Sequence, residues 1–137
     1  MANLPTGGGR RDARERALHL LYECDQRELG AEANLAEQVL AHDDYPQAVL
    51  RGDEAARDGI DATILRLARG WTLERMPTMD RLILEIGIFE LESRPDVPTA
   101  VVLNEAVELA NQYSTDDSGR FVNGVLAKVA GEVRSDT

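Results

Sequence analysis

Apolar residues in this chain recur three and four places apart in one segment after another, and no segment alternates strictly between apolar and polar. A helix repeats about every 3.6 residues and a strand every two, so this spacing commits the chain to helices. Most of them have one apolar face, but the segment Thr78 to Ser93 has two. Met79, Leu82, Ile83, Ile86 and Phe89 form one stripe, and Leu84, Ile88 and Leu91 form another roughly opposite. Such a helix either lies at the centre of a bundle or has one side covered by a partner. Leu84, Ile88 and Leu91 are therefore both a candidate docking strip and a candidate packing surface. Glu90 falls within the first stripe, where a carboxylate must be hydrogen-bonded or paired, which points to a structural role.

The other helices follow from period and punctuation. Met1 to Gly9 is Gly-rich and is expected to be a disordered tail. From Arg10 onward, Ala13, Ala17, Leu20, Leu21 and Cys24 share one helical face. Gly30 and Asn34 punctuate a turn before a short helix from Leu35 to Leu40, and His42 to Pro46 reads as a loop broken by Pro46. Ala56, Ile60, Ile64 and Leu67 align in one long helix from Val49 to Ala68, with Gly70 suited to end it. Trp71 to Met76 reads as a short helical turn closed by Pro77. Pro98 pre-sets a first helical turn, followed by Val102, Ala106, Leu109 and Tyr113 on one face. The last helix starts within Ser114 to Ser118, where Asp116 and Asp117 are candidate caps, and carries Phe121, Val122, Val125, Leu126 and Val129. Gly119 and Gly124 each cost that helix about 1 kcal/mol relative to Ala, so a close neighbour or ligand is expected to compensate.

Two motifs in this C-terminal pair carry a family resemblance. Asn104-Glu-Ala-Val-Glu-Leu-Ala after Pro98, then Ser118-x-x-Phe-Val-Asn-Gly-Val-Leu, resembles the bacterial transcription antitermination factor NusB family. Arg10-Arg11-x-Ala13-Arg14 with Leu21-Tyr22, and Asp80-Arg81-x-Ile-Leu with Phe89-Glu-Leu, agree in order and spacing, so the resemblance covers nearly the whole chain. It implies an all-α fold of two small packed helical bundles, about seven helices in total. Residues 1–9 would be the tail and residues 10–134 a single domain with helical halves 10–70 and 71–134.

Composition agrees with a non-enzymatic protein of the cytoplasm. The 137 residues include one Cys, which excludes an internal disulfide, and no Cys/His cluster has metal-ligand spacing. No apolar run approaches the roughly 18 residues of a membrane span. His19 and His42 stand apart, and no catalytic set or phosphate-binding glycine loop is present, so neither an enzyme nor a cofactor is expected. The net charge of −10 divides unevenly. Residues 1–22 hold Arg10, Arg11, Arg14 and Arg16 against Asp12 and Glu15, giving +2, while the rest of the chain carries −12. Cations at a helix N-terminus oppose the helix dipole, so this cluster points to an anionic ligand.

The resemblance gives these residues roles. It implies that Arg10, Arg11, Arg14 and Arg16 meet the single-stranded boxA element of nascent rRNA leaders. Arginine suits this because its guanidinium clamps a phosphate with two bonds or stacks on an unpaired base. Asp12 interrupts the basic run usual in the family. Without the resemblance, these arginines read equally well as a solvated face. Tyr22 and Phe121 are candidate stacking residues whose alternative is core packing. Asp117, Ser118 and Arg120 complete the implied RNA surface. The implied partners are boxA RNA and NusE, a small-subunit ribosomal protein that the acidic surface would attract, with other Nus factors and RNA polymerase joining indirectly. Leu84, Ile88 and Leu91 would serve NusE or a homodimer. Two rivals remain: a helical scaffold or dimerisation protein without RNA binding, and a stand-alone RNA-binding module of an rRNA-modifying system. NusB-like domains also precede rRNA cytosine methyltransferases, but 137 residues leave no room for their cofactor domain.

Overall fold

A computed structural model describes residues 8–38 and 44–134, with side chains from residue 11 onward. Among the described residues there are seven helices and no strand. They form two compact units that divide between Ala55 and Ala56.

The first unit contains α1 (Gly8–Arg27), α2 (Ala31–Glu37) and α3 (Asp44–Ala55), with each helix packed on the other two. Ala17, Leu18, Leu20, Leu21, Val49 and Leu50 are buried. The helix begins at Gly8, inside the expected tail; residues 1–7 lie outside the described residues. Helix α2 starts at Ala31, four residues earlier than Leu35. Its first amide donates to the Glu54 carboxylate of α3 at 3.2 Å, an anion at the positive end of the helix dipole. Asn34 is a buried helical residue, not a turn marker; its Nδ2 donates to the Leu20 carbonyl at 3.0 Å and to Cys24 Sγ at 3.2 Å. Val39, Leu40 and His42, expected in a helix end and a loop, lie outside the described residues. Pro46 sits in the first turn of α3, where its missing N–H leaves no helical bond unmade.

Helix α1 ends at Arg27, with Glu28 left-handed at φ 54° and the Leu29 amide donating to the Cys24 carbonyl at 2.9 Å. This is the helix-ending bond pattern that normally employs glycine. Glu28→Gly is expected to raise stability by about 0.5–1 kcal/mol, since glycine enters this conformation without the Cβ penalty. The check is a higher urea midpoint at unchanged slope.

The second unit contains α4 (Arg57–Leu67), α5 (Thr78–Ser93), α6 (Thr99–Tyr113) and α7 (Ser118–Val133). Helix α5 packs on the other three, and α4 also packs on α7. The single helix expected from Val49 to Ala68 is two, broken at Ala56 (φ −104°, ψ 12°). Helix α3 serves the core of α1 and α2 while α4 serves that of α5 and α7, so the division falls at 55/56 and not at 70/71. Gly70 is left-handed at φ 84° as expected, and the Met76 amide donating to the Thr72 carbonyl at 3.1 Å makes the expected helical turn.

Helix α5 is buried at every position from Leu82 to Leu91. Glu85 is taken up by Arg81 one turn earlier at 3.0 Å, and Glu90 is buried with its own partner. On the surface, Arg66 of α4 makes a two-pronged pair with Glu132 of α7 at 2.7 and 2.8 Å. The Arg66 hydrogen bond holds the Glu132 carboxyl below its ordinary 4.5. A depressed carboxyl stabilises the fold above its unfolded value, and that contribution disappears as pH falls through the folded one.

Candidate nucleic-acid interface

The arginines of α1 separate once the helix is folded. Arg11 and Arg16 are exposed, whereas Arg14 is only 3% exposed and is engaged inside the protein. Its position explains this, because Arg14 lies three, four and seven residues before the buried Ala17, Leu18 and Leu21, on the helix's inner face. The expectation of Arg14 as a surface RNA contact is corrected accordingly. Arg10 lies within α1, but its side chain is outside the described residues. Tyr22 is 39% exposed, so core packing does not account for it. It shares a side of α1 with Arg11, roughly 16 Å further along at 1.5 Å per residue. Between them Leu18 is fully buried, so the two exposed groups are separate contact points.

In the second unit, the turn between α6 and α7 is built from hydroxyls. The Thr115 amide donates to Ser118 Oγ at 3.2 Å, Ser118 Oγ donates to Ser114 Oγ at 3.0 Å, and Ser114 Oγ donates to the Asp80 carboxylate at the start of α5. Ser118 is 2% exposed with its hydroxyl committed to this chain, so it shapes the turn and does not face a ligand, another correction. Asp117 occupies the N-cap position of α7 without a side-chain capping bond and is exposed, which leaves its carboxylate open to solvent instead of closing the cap. Arg120 is exposed and Phe121 is half-buried. The Phe121 ring lies 5.9 Å from that of Trp71, tilted by 55°. The sequence places Trp71 in its turn but assigns it no role. The available signal is an indole between Arg69 and Arg75 with no helical stripe to bury it.

The glycines of α7 behave differently from each other. A Cβ on Gly119 would come 2.7 Å from Asn111 Oδ1 of α6, so that helix supplies the expected close neighbour. Among the described residues nothing lies within 4 Å of the same position at Gly124, so no neighbouring helix makes the close approach there. The docking strip is also corrected. Leu84, Ile88 and Leu91 are 0, 0 and 3% exposed. Leu84 and Leu91 stand three residues before and four after Gly87, whose face is against Leu126 of α7, so their side of α5 is occupied by the protein's own helix. Among the described residues, no group of three or more His, Cys, Asp or Glu could hold a metal, and no helix is long and apolar enough to cross a membrane.

These observations define an all-α protein of two helical units that exposes arginines and aromatic rings. The NusB family model matches residues 11–131. The transcription antitermination protein NusB of Saccharopolyspora erythraea is 46% identical, covering 90% of this chain and 88% of that protein. That of Beutenbergia cavernae is also 46% identical, over 88% of each. The solved structure of T. maritima NusB matches with a TM-score of 0.85 at 29% identity, covering 98% of this chain and 96% of that one. The chain belongs to the NusB family, and the relatives it matches are transcription antitermination proteins, not enzymes.

Proposed function

We propose that this chain binds boxA single-stranded RNA together with NusE and promotes assembly of the rRNA antitermination complex on RNA polymerase in the cytoplasm. The observation that carries this reading is the pairing of exposed cations with aromatic rings in an otherwise acidic protein: Arg11, Arg16 and the exposed Tyr22 on α1, and Arg120 beside the half-buried Phe121 on α7. Cations hold the phosphates while rings stack on unpaired bases, and the surrounding negative charge discourages non-specific adhesion. The −12 beyond residue 22 also suits a basic ribosomal partner.

The test is fluorescence anisotropy of labelled boxA RNA and a scrambled control, with and without NusE, across a salt series. Three phosphate contacts would give a slope of log K against log salt near −2, from about −0.7 per contact on single strands. Replacing Arg11 and Arg16 by Ala should flatten the slope by about 0.7 for each phosphate that they no longer neutralise. Preferential, NusE-enhanced binding of boxA supports the proposal. Equal or absent binding of both RNAs would leave a scaffold or dimer as the better reading.

A further inference from the structure

We propose that Trp71 forms, with Phe121, an aromatic corner of the second unit that stacks an unpaired base of single-stranded RNA, with Trp71 as its outer surface. This rests on the RNA-binding reading above and adds a residue that neither the motifs nor the relatives' names assign.

Trp71 is the only tryptophan of the chain and is 43% exposed. The remainder of its surface is not left to a loose loop. Its amide donates to the Ala68 carbonyl at 3.1 Å, and the next turn is closed by the Arg75 and Met76 amides on the Thr72 carbonyl, each at 3.1 Å. Met76 anchors that turn in the core at 4% exposure. The backbone that carries the indole is thus fixed while its surface remains open, so little backbone freedom would be lost on binding. On its inner side, the Phe121 backbone is fixed in the first turn of α7, where its amide donates a hydrogen bond to the Asp117 carbonyl at 3.2 Å. At 5.9 Å and 55° the two rings make a tilted contact, and the 43% exposure of Trp71 is the surface available to a third planar group.

The neighbours favour a nucleobase over an apolar peptide. Arg69, Arg75 and Arg120 are exposed in the segments that bear the two rings. Glu74, Asp116 and Asp117 offset these cations, so the corner has no strong net charge of its own. Attraction there would come from stacking, with the arginines available to nearby phosphates. Every base has a π-face, so the corner would contribute affinity with little sequence preference.

The single indole makes the test direct. The intact protein is titrated with an unlabelled single-stranded RNA carrying boxA, with the basic ribosomal partner present, while tryptophan emission is followed beside the anisotropy of the labelled strand. The expected result is quenching that saturates together with the anisotropy. Trp71→Ala should bind about tenfold or more weakly with an unchanged salt slope, because removing a stacked ring changes no counterion release, and Trp71→Phe should fall between. Thermal denaturation of both variants distinguishes a missing ring from a misfolded protein, and the wild-type quench requires no variant. Full anisotropy binding with unmoved emission and an unaffected Trp71→Ala protein would overturn the corner while leaving RNA binding intact. Emission that responds to the protein partner and not to RNA would overturn it in favour of a protein contact. Failure of any RNA to bind would overturn both readings.

Discussion

Arg134→Ala is expected to destabilise the protein by about 2–4 kcal/mol and to lower its melting temperature by roughly 10 °C. Arg134 follows the last residue of α7, and its guanidinium donates to five acceptors. These are the carbonyls of Glu90 at 3.1 Å, Leu91 at 3.1 Å, Arg94 at 2.9 Å and Val97 at 2.6 Å, and Thr99 Oγ1 at 3.2 Å. Glu90 and Leu91 are in the last turn of α5; the Glu90 carbonyl also accepts from the Arg94 amide at 2.9 Å, whereas the residue four after Leu91 is Pro95, which has no N–H to offer. A cation there also complements the negative end of the α5 dipole. Truncation would remove every one of these bonds and strip the carbonyls of the buried Leu91 and Val97 of this donor, while those of Glu90 and Arg94 keep the backbone amides of Arg94 and Val97. Two buried acceptors losing their cationic donor is why the expected loss exceeds that of an ordinary surface arginine. Arg134→Lys keeps the charge but not the planar fork, so it should recover only part of the stability. Equal melting curves for wild type and Arg134→Ala would refute this role.

This clamp is invisible in the sequence, where Arg134 is merely a basic residue near a terminus. Its partners are 35 to 44 residues away, and nothing local encodes them. The all-helical class is legible because periodicity is a local property, and so is the left-handed Gly70. Arg14 is legible in principle. Its spacing to Ala17, Leu18 and Leu21 places it on the buried face, but membership of a charge cluster suggests a surface group. The break at Ala56 carries no signal, since alanine favours helix and only the separate cores of α3 and α4 divide the run. Ser118 looks like one of several equivalent polar residues, and only the bond chain to Asp80 distinguishes it.

The candidate interface divides the same way. Residue type identifies arginines and rings, while exposure decides which can touch a ligand. Arg11, Arg16, Tyr22 and Arg120 pass that filter and Arg14 and Ser118 do not. Trp71 enters because an exposed indole on an anchored turn is a feature of packing, not of spacing.

Gly87→Ala is expected to cost about 1–3 kcal/mol, although alanine is the better helix former by about 1 kcal/mol. A Cβ at Gly87 would lie 2.6 and 2.8 Å from the two δ-carbons of Leu126 and 3.3 Å from its Cγ. Leu126 has no exposed surface, so rotating one methyl away drives the other carbons into the same space or into neighbouring core. The backbones of α5 and α7 must then separate, which loosens packing along the whole crossing. Gly119→Ala is the control. Its nearest obstacle, Asn111 Oδ1 at 2.7 Å, is the end of an exposed side chain that can swing aside, so the gain in helix propensity should offset the crowding. Chemical denaturation of the two variants side by side should show a large drop for Gly87→Ala and a near-neutral result for Gly119→Ala. Equal effects would mean that the close approach of α5 to α7 at Gly87 is not what selects glycine there.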